Sequence, residues 1–320
     1  MDLELTSDER DLQEGVRKLC EGRFPMEVVR GLEASGGVDR GRWRELADAG
    51  VFTLRLPEPE GGVGLGAREG VLVFEELGRA LVPGPLVASS LAAGVVDGEV
   101  VGSVERDGLV VEWLASLDAL VVRDGDGLWA VDPSAVEGEA VPQPLDPLTP
   151  VTRVASLAPG EHVGGPEEAH RWRMEGAALT AALQLGSAEA TLDAAVAYAK
   201  ERTQFDRPIG TFQAVKHILA DMLVRVEVAR AAVWAAGATI DQPDVGDPAR
   251  AASAAKVLAD EAALANGKAA IQVHGGMGFT WEVDAHLHLK RAWVLATQFG
   301  STESHSEALA DPGRASFAKR

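Results

Sequence analysis

The sequence predicts a mainly α-helical protein with a small β domain, on three observations. Long apolar patterns with helical spacing, joined by short connections, fill residues 166–320. Residues 97–165 switch to short Val- and Trp-rich runs with turn signals between them. Residues 1–96 return to helical spacing. The division expected is therefore an N-terminal helical domain, a short β region and a C-terminal four-helix bundle.

At the start, Thr6 or Ser7 can cap a helix whose first turn, Asp8-Glu9, suits the positive end of the helix dipole. Leu12, Val16 and Leu19 then recur at i, i+4 and i+7 and give it one buried stripe. A second helix is expected around Trp43 to Ala49, stopped by Gly50. Val51 to Leu56 leads into a Gly-rich loop, Glu60 to Gly66, ahead of a helix from about Arg68 to Leu81. That loop is either a plain turn or a place where a ligand approaches the backbone. Pro83 and Pro85 close the helix, and Val87 to Val96 is expected to add one more.

In the β region the candidate strands are Val100-Val101, Leu109 to Leu114, Ala119 to Val122 and Leu128 to Val131. The DGDG of Asp124 to Gly127 predicts a hairpin between the last two. From Pro166 the chain turns helical. His170 to Lys200 is apolar nearly all round, which marks a helix buried inside a bundle. The next is expected from Phe212 to about Ile240. After the Gln242 to Gly246 loop, Asp247-Pro248 supplies a cap and a first-turn proline for a third helix reaching about Val273. A fourth is expected from about Asp284 to Thr297, with the tail from Ala308 frayed.

Composition narrows the function. Forty-nine acidic against 30 basic residues leave a net charge of −19, which disfavours nucleic acid and anionic membrane as partners. The one cysteine, Cys20, allows no intrachain disulfide, and the start MDLELTSDER has no signal-peptide pattern. No apolar run approaches the roughly 18 residues of a membrane span. A cytoplasmic location is expected. The seven histidines suggest no metal site, since His286 and His288 cannot share a helix face.

Two stretches carry chemistry. ERTQFDRPIGTFQAVKH, Glu201 to His217, puts Arg202, Gln204 and Phe205 at the elbow between two helices. An arginine fork with polar neighbours suits a phosphate-bearing ligand, although an arginine at a helix end also simply complements the dipole. IQVHGGMGFTWE, Ile271 to Glu282, ends another long helical pattern. Together they resemble the C-terminal domain of the acyl-CoA dehydrogenase family, whose R-x-[QT]-F-G and Q-x-x-G-G-x-G-[FY] elements grip the ADP half of FAD. LPEPEGGVGLGAREGVLVFEELGRAL, Leu56 to Leu81, is similar to that family's N-terminal motif. The resemblance thus spans most of the chain.

The resemblance implies an FAD-dependent dehydrogenation of an acyl-CoA, with an electron-transfer flavoprotein or similar acceptor. Arg202 would pair with the pyrophosphate and Gln204 would hydrogen-bond nearby. Phe205 would pack on the cofactor or fill the elbow, and Gln272, Gly275 and Gly276 would meet the ADP portion. Three departures stand out. The family's T-E-P-x-x-G-S loop, which contacts the flavin ring, has no counterpart here, so the β domain looks truncated. Asp206 replaces a glycine. The usual catalytic glutamate position falls on Phe299, which accepts no proton, and the alternative position on the first bundle helix falls on Gly176. Glu175, one residue away, is the weak candidate base; Glu303 and His305 read as solvated loop residues.

This lopsided inventory implies one subunit of a hetero-oligomeric α2β2 acyl-CoA dehydrogenase, donating the nucleotide-binding half of each flavin site to a second subunit that bears the base. Related heteromers act on steroid side-chain thioesters, which makes a steroid acyl-CoA the expected substrate. A homo-oligomer using Glu175, and a non-catalytic structural paralogue, are the alternatives.

Overall fold

The computed structural model describes residues 3–35 and 38–311. Five helices open the chain: α1 (Ser7–Arg23), α2 (Met26–Ser35), α3 (Arg40–Asp48), α4 (Ala67–Arg79) and α5 (Leu86–Ala92). Thr6 caps α1 in a capping box with Glu9, so two otherwise orphaned N–H groups are satisfied at once. The α2 helix was not foreseen. Gly31 lies within it and two glycines follow Ser35, so its helical spacing is short and weakly marked. The Gly-rich loop ends in a cap built from afar. Asp241 accepts from the backbone N–H groups of Ala67 at 2.7 Å and Arg68 at 2.8 Å.

The middle region holds β1 (Val101–Glu105), β2 (Val110–Glu112), β3 (Ala119–Asp124), β4 (Gly127–Val131), β5 (Gly138–Ala140), β6 (Val151–Val154) and β7 (Glu161–Gly164). One sheet has the order β1-β3-β4-β7 and the other β2-β6-β5. The DGDG turn is the expected hairpin, with Asp124 paired to Gly127. Central β3 buries Leu120, Val121 and Val122 on both faces, which is why it reads as a continuous apolar run. The strand β5 escapes notice in the sequence because it is exposed, and β6 and β7 because four residues each are too few to show an apolar pattern.

The helical half is organised around α6 (Pro166–Glu201), 36 residues long. After it come a two-residue ribbon, β8 (Thr203–Gln204) with β9 (Arg207–Pro208), then α7 (Gln213–Asp241), α8 (Pro248–His274), α9 (Ala285–Leu295) and α10 (Thr302–Ala310). Ala178, Ala181, Ala188 and Ala195 of α6 and Ala255, Ala259 and Ala262 of α8 are all buried. Methyl-sized side chains let the helices come close and pack densely without voids. A fifth helix, α10, joins the four expected, so residues 308–310 are helical and Asp311 caps them; residues 312–320 of the tail expected to fray lie outside the described residues. One apolar core runs from α1 through the sheets to α9.

Candidate functional site

Every residue singled out for chemistry lies at one end or the other of α6. At its C-terminal end Arg202 is the cap, its N–H donating to the Tyr198 carbonyl at 2.8 Å. The Arg202 side chain is exposed and has no ion pair among the described residues. Next comes a tight hairpin whose two central residues, Phe205 and Asp206, have φ of 53° and 61°. Positive φ at both positions is what a type I′ turn demands, and aspartate tolerates the left-handed region better than most residues. Asp206 therefore meets the same backbone requirement as the expected glycine. Phe205 is 85% exposed, so it does not fill the elbow; Phe212 does, under the guanidinium of Arg207 at 4.1 Å. Gln204 is exposed, and its side-chain amide donates to the neighbouring Thr203 carbonyl.

The end of α8 arrives at the same place. Tyr198 of α6 stacks on His274 of α8 with ring centroids 4.3 Å apart, so the arginine element and the double-glycine element share one end of the bundle. Gly275 has φ +60°, a conformation that side chains avoid. Gly276 has no such constraint, and a Cβ on either glycine would enter open space. Nothing in this chain's own packing requires glycine at 276. Gln272 is exposed beside them, as is Phe279 at 86%. An unpaired guanidinium, a bare glycine backbone and two exposed phenyl rings form an open cradle. Its residues fit the pyrophosphate and adenosine of FAD: cation for phosphate, free backbone for close approach, apolar rings for the adenine.

Toward the other end of α6 the arrangement is closed. A Cβ on Gly176 would lie 2.1 Å from the Phe299 ring, so that ring sits on the glycine. The two positions at which the resemblance places a base, 176 and 299, are therefore one place in space, filled by phenyl. Phe299 is held in the left-handed region at φ 53°. His305 anchors the turn, its Nε2–H donating to the Phe299 carbonyl at 3.1 Å and its Nδ1 accepting from the Ser253 hydroxyl at 3.0 Å. His305 is thus buried, correcting its reading as a solvated loop residue, and burial pushes its pKa down to about 4. Glu303 is exposed on α10. Thr302 adds a second anchor, donating at 2.8 Å to Asp260, which pairs with fully buried Lys256.

Glu175 faces away from that place. Both its oxygens accept from Arg55, at 2.7 and 3.1 Å, in a bidentate pair. The Gly-rich loop also serves packing, since a Cβ at Gly62 would meet the Leu56 carbonyl at 2.0 Å. One acid went unnoticed in the sequence. Glu112 accepts a hydrogen bond from Gln298, next to Phe299, and burial pushes its carboxyl up to about 7. It lies 186 residues from Gln298 along the chain, so no local pattern signals the pairing. Among the described residues no three His, Cys, Asp or Glu form a metal-binding group, and no helix is long and apolar enough to cross a membrane.

The acyl-CoA dehydrogenase N-terminal domain family matches residues 6–99, and the acyl-CoA dehydrogenase C-terminal domain family matches residues 171–312. Acyl-CoA dehydrogenase IpdE2 of Mycolicibacterium smegmatis is 36% identical over 92% of this chain and 95% of its own length. Acyl-CoA dehydrogenase FadE34 of Mycobacterium tuberculosis is also 36% identical over 92% of this chain, but over only 46% of its own length. Among solved structures, a steroid ACAD variant of Tcur3481-Tcur3483 superposes with a TM-score of 0.81 at 26% identity, covering 95% of this chain and 97% of that one. The ChsE4-ChsE5 complex from Mycobacterium tuberculosis gives the same fold, with a TM-score of 0.81 at 24% identity over 97% and 99%. With both family domains matched and a relative alike over nearly its whole length, the chain belongs to the acyl-CoA dehydrogenase family, FAD-dependent oxidoreductases acting on acyl-CoA thioesters.

Proposed function

We propose that this chain is the subunit of a hetero-oligomeric acyl-CoA dehydrogenase that supplies the nucleotide-binding half of each flavin site, while a second acyl-CoA dehydrogenase subunit supplies the base. One observation carries the reading. Arg202 and Gly176 are 26 residues apart on one straight helix, roughly 39 Å at 1.5 Å per residue. That is well beyond the reach of the ribityl chain joining a flavin ring to its pyrophosphate. A flavin held by Arg202 would not reach this chain's own Gly176–Phe299 slot, which supports a ring placed on another chain.

Bound FAD supplies the hydride acceptor for removal of the β-hydrogen. Arg202 neutralises pyrophosphate, the Gly275-Gly276 backbone lets the nucleotide approach, and Gln204 and Gln272 offer polar contacts. At the matching place in this chain Phe299 lies against Gly176, and neither side chain takes a proton, so in this reading the partner provides the base. The relatives lend support: two of the similar structures are described as pairs of named chains, and FadE34 contains this chain's counterpart in under half its length. The substrate class that follows from them is a steroid acyl-CoA thioester, with electrons passed to an electron-transfer flavoprotein or similar acceptor.

The test is a flavin count. Co-expressed with its partner, the chain yields an active complex with one FAD per pair of chains. Purified alone it binds little FAD and is inactive; a fully flavinated, active homomer overturns the proposal. Glu175→Gln separates the homomeric alternative. Turnover of the complex stays unchanged if Glu175 serves only Arg55, and collapses at proton abstraction if it is the base.

A further inference from the structure

The hairpin that follows α6 sets three polar side chains on one face. Gln204 of β8 lies directly opposite Arg207 of β9, and Thr203 lies opposite Pro208. The pairing runs one residue further, since the Ile209 N–H donates to the Arg202 carbonyl at 2.8 Å and Arg202 is extended, with φ −68° and ψ 117°. Opposed residues of an antiparallel pair project to the same side, and so do alternate residues of one strand. Arg202, Gln204 and Arg207 therefore share a face, and Thr203 and Pro208 take the other. Of the three, Arg207 alone stands outside the R-x-[QT]-F-G element that the resemblance assigns to the cofactor.

The Arg207 guanidinium is also held in place. It lies over the ring of Phe212 with its carbon 4.1 Å from the centroid, and Phe212 is tied to the hairpin by its N–H, which donates to the Ile209 carbonyl at 3.1 Å. A guanidinium seated on a ring face keeps its N–H groups available, since these point outward in the plane of the fork. A fork fixed in this way loses less freedom when it takes an anion.

Charge points the same way. The chain has 49 acidic and 30 basic residues, yet neither Arg202 nor Arg207 has an ion pair among the described residues, and neither does Asp206 at the turn between them. Arg17, Arg55 and Arg230 show the ordinary outcome, each held by a carboxylate. One solvated arginine on a surface calls for no explanation. Two on the same face of a two-residue ribbon repel each other, and an anion with two separated charges lying across them turns that repulsion into attraction. The pyrophosphate of FAD is such an anion, with one charge on each phosphate, and a single arginine fork matches only one of them.

We propose that Arg207 is a second cation for the FAD pyrophosphate: Arg202 pairs with one phosphate and Arg207 with the other, with Gln204 beside both. The hairpin thereby selects a nucleotide with two phosphates over one with a single phosphate. The inference rests on the reading that this end of α6 holds the nucleotide half of FAD, and not on which chain carries the flavin ring or the base.

The test uses the chain in complex with its partner, stripped of flavin. Calorimetric titration compares ADP-ribose, which carries the same pyrophosphate diester as FAD, with AMP, which has nearly the same charge on one phosphate. Arg207→Gln is expected to weaken ADP-ribose about tenfold and AMP by less than about twofold, with the melting temperature of the flavin-free complex unmoved. Arg207→Lys, which keeps the charge but not the fork, is expected to fall between the two. Equal binding of ADP-ribose by the unmodified and Arg207→Gln complexes overturns the proposal. So does an equal loss for both ligands, which makes Arg207 a prop of the turn. If the unmodified complex binds ADP-ribose no better than Arg202→Ala does, the cradle reading itself falls and this inference with it; if Arg207→Gln alone is without effect, only this inference falls. Should the flavin count yield an active homomer, the same titration on that homomer decides in the same way.

Discussion

The two ends of α6 are built on opposite terms. At the Arg202 end the groups find few partners among the described residues: the guanidinium has no ion pair there, the rings of Phe205 and Phe279 are largely exposed, and a Cβ at Gly276 would enter open space. Toward the Gly176 end nearly everything is satisfied within the chain. Phe299 rests on the glycine, His305 holds the turn, and Arg55 occupies both oxygens of Glu175. An end that is exposed, unpartnered and conformationally exact is arranged for something outside the chain. An end that closes on itself has been given over to stability.

That contrast is most open to attack through pH. His305 is neutral when folded, with a pKa of about 4 against an ordinary 6.5, because burial disfavours its charge. The unfolded chain therefore binds more protons between those values. The share of stability that His305 contributes is fully present above about pH 6.5, falls as pH drops toward 4 by roughly 3 kcal/mol, and levels below. His305→Gln should remove that share while His288, likewise pushed down to about 4, keeps its own, so denaturant melts of the two chains across pH should differ in slope between pH 4 and 6.5; equal slopes would mean the turn is held otherwise.

At the open end, Arg202→Ala should weaken FAD binding in the assembled complex by on the order of 1.5–3 kcal/mol, the worth of a charge-assisted contact. The melting temperature of the apo chain should not move. If flavin affinity and rate both survive, the cradle is a relic and the chain a scaffold. Gly176→Ala tests the closed end in the converse way. Its methyl collides with the Phe299 ring, so it should cost about 1–3 kcal/mol of stability, and less in a Phe299→Ala background. Additive losses would show that the two do not share one space. The smallest effect is expected from Asp206→Gly, a gain of under about 1 kcal/mol from relieving a left-handed residue in an exposed turn. A loss of stability on calorimetry would assign the aspartate a contact beyond its backbone role.

Much of the architecture was legible because helical spacing survives in α1, α4 and α6 to α9, and because β3 and β4 flank an unmistakable turn. The elements that escaped lack that signal. Met26–Ser35 is short and carries Gly31, Thr302–Ala310 opens on a run of polar residues, and Gly138–Ala140 is wholly exposed. The cradle residues could be found since Arg202, Gln272 and the double glycine sit in contiguous motifs. The resemblance names Phe299 and Gly176 separately, but only their three-dimensional placement reveals that both name one spot. His305 misled because its neighbours in sequence are hydrophilic, while its partners, Ser253 and the carbonyl of Phe299, are reached by folding. Glu112 and Gln298 come from β2 and the turn after α9, far apart along the chain, and no window of residues holds them together.

The contact between positions 176 and 299 also limits how an acid can be restored here. They form a single slot that can be furnished from either wall, but not from both. A glutamate introduced on α6 meets an aromatic ring unless the loop side is first vacated, and one introduced on the loop needs the helix to stay bare. Regaining a base therefore takes a matched exchange, Phe299→Gly together with Gly176→Glu, or the lone replacement Phe299→Glu over an untouched glycine.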